Sequence, residues 1–244
     1  MRIKLAAGTD TGCERRGNED VVQVGSHEAG VEALLIVCDG MGGHAAGQHA
    51  SAIALQSFRE ALAGDGREGA HASRLVEAAE RANLAVFEAS VSNPAWWGMG
   101  TTLVAAVVDS GRLSLVNIGD SPLWLFRKGR AHLLSEDHSW PAEQARLGLL
   151  RPDEVSGHPL KHRLARAVGV GGEALPFAGT ADLDEGDVIC LCSDGIEAAG
   201  IDPDELGFLL LGDPEDGVKR VIQRSIKLGA PDNVSLAVAL IEKL

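Results

Sequence analysis

The chain has no tyrosine and few other aromatics, four tryptophans and five phenylalanines in 244 residues. No phenolic hydroxyl is therefore available as acid, base or nucleophile. Positive charge is also short. Lys plus Arg number 22 against 35 Asp plus Glu, a formal net charge of −13. Such a chain repels a phosphate backbone, which excludes general nucleic-acid binding. There are only four cysteines, Cys13, Cys38, Cys190 and Cys192, and no CxxC pair. The last three lie in apolar runs and read as small buried hydrophobes rather than a disulfide framework. No uncharged apolar run approaches the ~18 residues of a membrane helix. The opening segment MRIKLAAGTD lacks the apolar stretch of a signal peptide. These absences predict a cytoplasmic chain with reduced thiols and no membrane contact.

Several phosphate chemistries are missing as well. No Cys is followed six positions later by Arg, so the cysteine-phosphatase loop is absent. There is no G-x-x-x-x-G-K-[ST] loop, no kinase motif set and no GxSxG elbow. An acidic chain that nonetheless handles phosphate needs something cationic to invert the local field, and a metal ion does that best.

What is present is ordinary globular material. Hydrophobic residues make up 45% and charged residues 23%, enough for one substantial core and a single domain over residues 1–244. Apolar runs of strand length occur at 3–8, 20–24, 33–38, 101–108, 112–118, 122–127, 163–168, 175–181, 187–193 and 233–241. Helical periodicity appears over 44–63, 71–91, 141–148, 202–211 and 214–228. The segment GDGREG at 64–69 reads as a linker. Short connections such as Asp109-Ser110-Gly111 join only antiparallel neighbours. The pattern predicts an α+β fold of two stacked antiparallel sheets with helices on their outer faces. Strands apolar on both faces fit that layering.

The chemistry lies in where the acids stand. Glu19-Asp20, Asp39, Asp120, Asp194 and Asp232 each end an apolar run or adjoin a turn. Asp-Gly is also common turn chemistry, which accounts for any one of them alone. Taken together, unpaired carboxylates at buried strand ends cost several kcal/mol each. Arg and Lys are scarce nearby, so a divalent cation is the economical partner. An all-oxygen donor set suits Mg²⁺, Mn²⁺ or Ca²⁺ rather than Zn²⁺ or copper.

The segments GNED, VCDGMGGHAAGQHAS, GMGTTLVAAVV, VNIGDSPLWLFRKG, SEDHS, CSDG and PDNVS run in order along nearly the whole chain. The set resembles the successive motifs of the protein phosphatase 2C family, the metal-dependent serine/threonine phosphatases, in its bacterial form. The resemblance implies an α-β-β-α sandwich with a binuclear Mn²⁺ or Mg²⁺ site at one end and a third, weaker ion in some members. Asp39 would bridge both metals, with the Gly40 carbonyl on one. Asp194 and Asp232 would each bind one, and Glu19 and Asp20 would act through metal-bound water. Asp120 matches the aspartate that joins Asp194 around the third ion, and Arg15 matches the arginine that holds the substrate phosphate. The reaction implied is hydrolysis of phosphoserine and phosphothreonine by a metal-bridging hydroxide. A monomer acting on phosphorylated proteins, opposite a serine/threonine kinase, is expected. A catalytically silent binding module of the same fold is the alternative.

Some positions depart from the family pattern. Met41 stands where eukaryotic relatives have a histidine that protonates the leaving group, so no general acid is assigned. His44, three residues on, is expected to be structural. His138 is expected to hold a turn, and His158 and His162 to lie on the surface. Pro122 replaces an arginine that usually follows GDS. Trp96-Trp97 reads either as packing under a loop or as a partner surface. Residues 141–160 are expected to form a flap beside the site.

Overall fold

A computed structural model describes residues 1–27, 30–42, 45–64 and 70–244. The expectations for His44 and for most of the 64–69 linker fall outside the described residues. Among the described residues, eleven strands form two antiparallel sheets. The first holds β1 (Arg2–Asp10), β11 (Val234–Lys243), β10 (Val188–Cys192), β7 (Leu123–Arg127) and β8 (Arg130–Leu133), in that order. The second runs β2 (Asp20–Ser26), β3 (Ala33–Met41), β5 (Leu103–Asp109), β6 (Arg112–Ile118), β9 (Phe177–Asp182). The two-residue β4 (Gly100–Thr101) pairs with the end of β3.

Strand β3 explains why the run ALLIVC shows no alternation. Ala33, Leu35 and Val37 point into the space between the sheets, with β7, β10 and β11 opposite. Leu34, Ile36 and Cys38 point the other way, onto α1 (Ala45–Ala63) and α2 (His71–Ser92). Both faces of the strand are therefore buried. Each such Leu or Ile stabilises the fold by about 1.5–3 kcal/mol. On the far side, α5 (Gly195–Ala198), α6 (Pro203–Leu209) and α7 (Pro214–Lys227) cover the first sheet through Ile196, Leu206, Val218 and Val221. The layers are helix, sheet, sheet, helix, as expected. Helices α6 and α7 start where their sequence says they should. Asp202 and Asp213 accept from the backbone N–H groups of Glu205 and Glu215, and proline follows each cap.

Two differences from the expected elements have local causes. Residues 163–168 are not a strand. They make single bridges, Leu164 with Ser139 and Val168 with Thr101, and no longer ladder among the described residues. The segment passes from the short helices α3 (Trp140–Arg146) and α4 (Pro152–Val155) back to the sheet edge without a neighbour to run beside. Strand β8 is additional to the expected elements: its four residues RAHL hold only two apolar side chains, too short a run to stand out, and its burial is slight. Trp96 packs against the α1–α2 layer and stacks on His49 at 4.6 Å, whereas Trp97 is 76% exposed. No described helix is long and apolar enough to cross a membrane.

Candidate metal centre

The interior-facing row of β3 ends on Asp39, opposite Asp20, the first residue of β2. The backbone around Asp39 is fixed from three directions. Its N–H donates to Thr102 Oγ1 at 2.9 Å. Its carbonyl accepts from the Thr102 N–H and from Thr101 Oγ1, both at 2.8 Å. Gly40 follows because nothing larger fits: a Cβ there would lie 2.3 Å from the Gly47 carbonyl oxygen and 2.6 Å from that of Glu19. Thr102 Oγ1 also meets Ser121 Oγ at 2.7 Å, tying Asp39 to the loop that carries Asp120.

The other acids arrive on strand ends of both sheets. Asp194 follows β10 and opens α5, and the next residue, Gly195, is so close to its neighbour that a Cβ would sit 1.8 Å from the Asn233 carbonyl. Asp232 precedes β11. Its Oδ1 accepts from the Asn233 N–H at 2.8 Å and its Oδ2 from Arg15 Nη2 at 2.6 Å. The Glu19 N–H donates to Asn233 Oδ1 at 2.8 Å, and Asn233 Nδ2 donates to the carbonyls of Thr11 and Gly17. Asn233 thus knots the Arg15 loop, Glu19 and Asp232 together. Its position inside the PDNVS segment was visible, but its role was not, because an amide carries no charge to draw attention.

Asp39, Gly40, Glu19, Asp120, Asp194, Asp232 and Arg15 all line one open cleft of about 740 Å³. Asp20 lies behind them. Ser193 Oγ donates to its Oδ2 at 2.8 Å, while the buried Oδ1 has no hydrogen-bond partner among the described residues. The opposite wall is Lys161, His162 and Leu164, and an adjoining cavity of about 310 Å³ extends under Pro152, Val155 and Ser156. Of the segment 141–160 expected as a flap, Pro152, Val155 and Ser156 line that adjoining cavity. His162 is solvent-exposed as expected, but it also faces the site, with Nδ1 3.8 Å from Asp194 Oδ2. His158 stacks on Trp140 at 5.4 Å. His138 is fully buried in its turn.

This concentration of acid is unfavourable by itself. Burial, then repulsion from Asp20 and Asp194, raises the Asp39 carboxyl well above the usual range. Burial, then Asp194, pushes Asp120 up to about 8. Burial raises Asp20 to about 6 against the hydrogen bond of Ser193. Asp194 rises for the same first reason, with Asp232 adding to it. Arg15 moves upward beside Asp232. Among the described residues no three Asp, Glu, His or Cys side chains already close into a finished shell. The donors instead converge on an open cleft, as suits a hard cation that keeps several waters and accepts substrate oxygens. The crowded, repelled carboxylates, the all-oxygen chemistry and the partnerless Asp20 Oδ1 fit Mg²⁺ or Mn²⁺.

Comparison with known proteins agrees with this geometry. The family description "Protein phosphatase 2C" matches residues 11–236. The serine/threonine protein phosphatase PstP of Mycobacterium tuberculosis is 34% identical over 238 residues, 97% of this chain. The chain spans only 45% of that relative's length. Protein phosphatase PhpP of Streptococcus pneumoniae is 32% identical over 242 residues, covering 97% of this chain and 96% of PhpP. A crystal structure of the PstP catalytic domain in complex with two manganese ions superposes with a TM-score of 0.84 at 31% identity, over 99% of both chains. Acids at the strand ends of a helix-covered double sheet, and a family match across nearly the whole sequence, lead to one assignment: the chain belongs to the protein phosphatase 2C family.

Proposed function

We propose that the chain is a metal-dependent phosphatase that hydrolyses phosphoserine and phosphothreonine in proteins, reversing the action of a serine/threonine kinase. The observation that carries this is the cleft in which Asp39, Asp194 and Asp232 converge from different strand ends with Arg15 on the rim. The names of PstP and PhpP support the same substrate class. Asp39 and the Gly40 carbonyl would hold two Mn²⁺ or Mg²⁺ ions together with Asp194 and Asp232. Asp120 would serve a third with Asp194, and Glu19 and Asp20 would act through water. Bound ions supply the positive charge that draws in the phosphoryl oxygens and the acidity that activates water for in-line attack.

The protein's own groups do the remaining work. Arg15 offers a fork of donors to the phosphoryl oxygens. Its present partner, Asp232, holds the guanidinium at the cleft before substrate arrives. The threonine hydroxyls of Thr101 and Thr102 hold the Asp39 backbone, and so the base of its side chain, in place. The open cleft admits a side chain carried on a polypeptide, whereas a closed pocket would favour a small ester. Hydrolysis of a phosphothreonine peptide by wild-type chain and Asp39→Asn, with chelator and with Mn²⁺, tests the reading. Activity that needs Mn²⁺ and disappears in the variant is expected. Robust turnover in chelator, or in Asp39→Asn, would overturn the mechanism. Inactivity of every sample would favour a silent binding module.

A further inference from the structure

Asp120 stands on a short loop between β6 and β7, next to Gly119, whose φ of +104° lies where glycine alone is unstrained. The carboxylate shares its cleft with Asp194, a group of like charge, so its position depends on the support of the loop that carries it. The turn at 135–139 provides it. Asn117 Nδ2 donates to the carbonyls of Gly119 and Glu136, at 3.3 and 2.7 Å, and its Oδ1 accepts from the Glu136 N–H at 3.0 Å. The His138 N–H donates to the Gly119 carbonyl at 3.2 Å. The glycine N–H in turn donates to His138 Nδ1 at 3.1 Å. A backbone N–H can only donate, so Nδ1 is the bare nitrogen, and Nε2 carries the hydrogen toward Glu136 Oε1 at 3.2 Å.

The far edge of the same ring meets the base of the flap. Arg166 Nη1 lies 3.1 Å from His138 Nε2 and donates to the Leu175 carbonyl at 3.1 Å. Two N–H groups cannot bond each other, so the guanidinium acts on the ring through its charge. Burial, and then Arg166, hold His138 below its usual range, which keeps Nδ1 free to accept. Arg166 Nη2 pairs at 2.5 Å with Glu143 of α3, a side chain only 10% exposed, and Arg146 takes the other carboxylate oxygen.

We propose that His138 is a positioning residue for Asp120, and that Arg166 and Glu143 join that position to the flap helix, so that the flap base and the Asp120 carboxylate move as one piece. This rests on the reading of Asp120 as a metal-binding acid. Partners that orient a metal-binding group typically change metal affinity by about 10- to 100-fold when lost.

The test uses the whole chain and four variants: Asp120→Asn, His138→Phe, His138→Asn and Arg166→Met. Mn²⁺ binding to the metal-free protein is followed by calorimetry, with kcat and KM on a phosphothreonine peptide measured alongside. The weakest Mn²⁺ event should weaken at least about tenfold in Asp120→Asn and in His138→Phe, which keeps a ring but has no acceptor. His138→Asn, which returns an acceptor close to the Nδ1 position, should stay within about threefold of wild type. Arg166→Met should raise KM for the peptide more than it lowers kcat. A folded His138→Phe with the wild-type isotherm would overturn the proposal. Should that variant not fold, a folded His138→Asn that loses the weak event overturns it equally. A change in Asp120→Asn alone refutes the positioning role and leaves the reading of Asp120 standing. No change in Asp120→Asn removes that reading and this inference with it.

Discussion

The acids that make the site useful should make the empty protein weaker, and Asp120 gives the sharpest measure. Its carboxyl titrates near 3.8 in an unfolded chain and near 8 in the fold. The folded state therefore binds a proton more tightly across that window, and stability falls as pH rises through it, opposite to the usual behaviour of a salt-bridged aspartate. At pH 7 the group lies about three pH units above its unfolded value. At ~1.4 kcal/mol per unit, taking up the proton that the folded carboxyl holds at pH 7 costs roughly 4 kcal/mol, and partial solvation and loop relaxation reduce that to about 2–4 kcal/mol. Asp120→Asn keeps the shape and has no proton to take up. In chelator the variant should be more stable than wild type by about that amount at pH 7, and its advantage should shrink on acidification toward the unfolded value. Urea unfolding followed by tryptophan fluorescence, at several pH values with metal removed, reads both quantities. Saturating Mn²⁺ should then stabilise wild type more than the variant, because a ligand of the folded state adds its own binding free energy. A metal-free Asp120→Asn no more stable than wild type at pH 7 would refute the reasoning, as would a wild-type stability indifferent to pH between about 6 and 8.

Other substitutions separate catalysis from support. Arg15→Ala should lower kcat/KM on a phosphopeptide about 10- to 100-fold, the worth of a charge-assisted hydrogen bond to phosphate, with little change in the urea midpoint. Gly195→Ala places a methyl where the Asn233 carbonyl already sits, 1.8 Å away; a loss of at least ~2 kcal/mol in urea unfolding and of most Mn²⁺-dependent activity is expected. At the opposite end of the sandwich, Asp187 is 1% exposed and takes the Arg127 fork at 2.9 and 2.5 Å. Asp187→Ala should cost about 3 kcal/mol by leaving a guanidinium half-paired, yet leave KM for the peptide unchanged.

The layered fold was legible in the sequence because its signal is redundant. A strand such as ALLIVC, apolar at every position, has only one kind of home, between two covered faces. Asp39, Asp120, Asp194 and Asp232 were legible for a related reason: charge at the end of such a strand conflicts with its surroundings and stands out. Groups that resolve the conflict without charge did not stand out. Thr102 and Asn233 act through single lone pairs and N–H groups whose partners lie far away in sequence, as with Glu19 and Asn233, 214 positions apart. His162 was placed on the surface, where it is, but the return of 152–162 across the cleft is a tertiary event with no periodicity to announce it. Residues 163–168 show the same limit from the other side. Their apolar content is real, since Ala167 and Val168 are buried, but burial there comes from isolated bridges and not from a ladder.

Those neutral groups also explain how the fold tolerates its own site. Four carboxylates with raised titration would spread apart if their backbones were free to move. They are held by glycines that no side chain can replace and by hydroxyl and amide groups whose hydrogen bonds do not depend on whether a cation is present. Charged supports would have competed with the metal for the same oxygens. A scaffold of Thr, Ser, Asn and Gly instead fixes position and leaves the negative potential for the ions and the phosphoryl group. The single arginine on the rim is the exception, and its half-exposed side chain is placed where an incoming phosphate can take it over from Asp232.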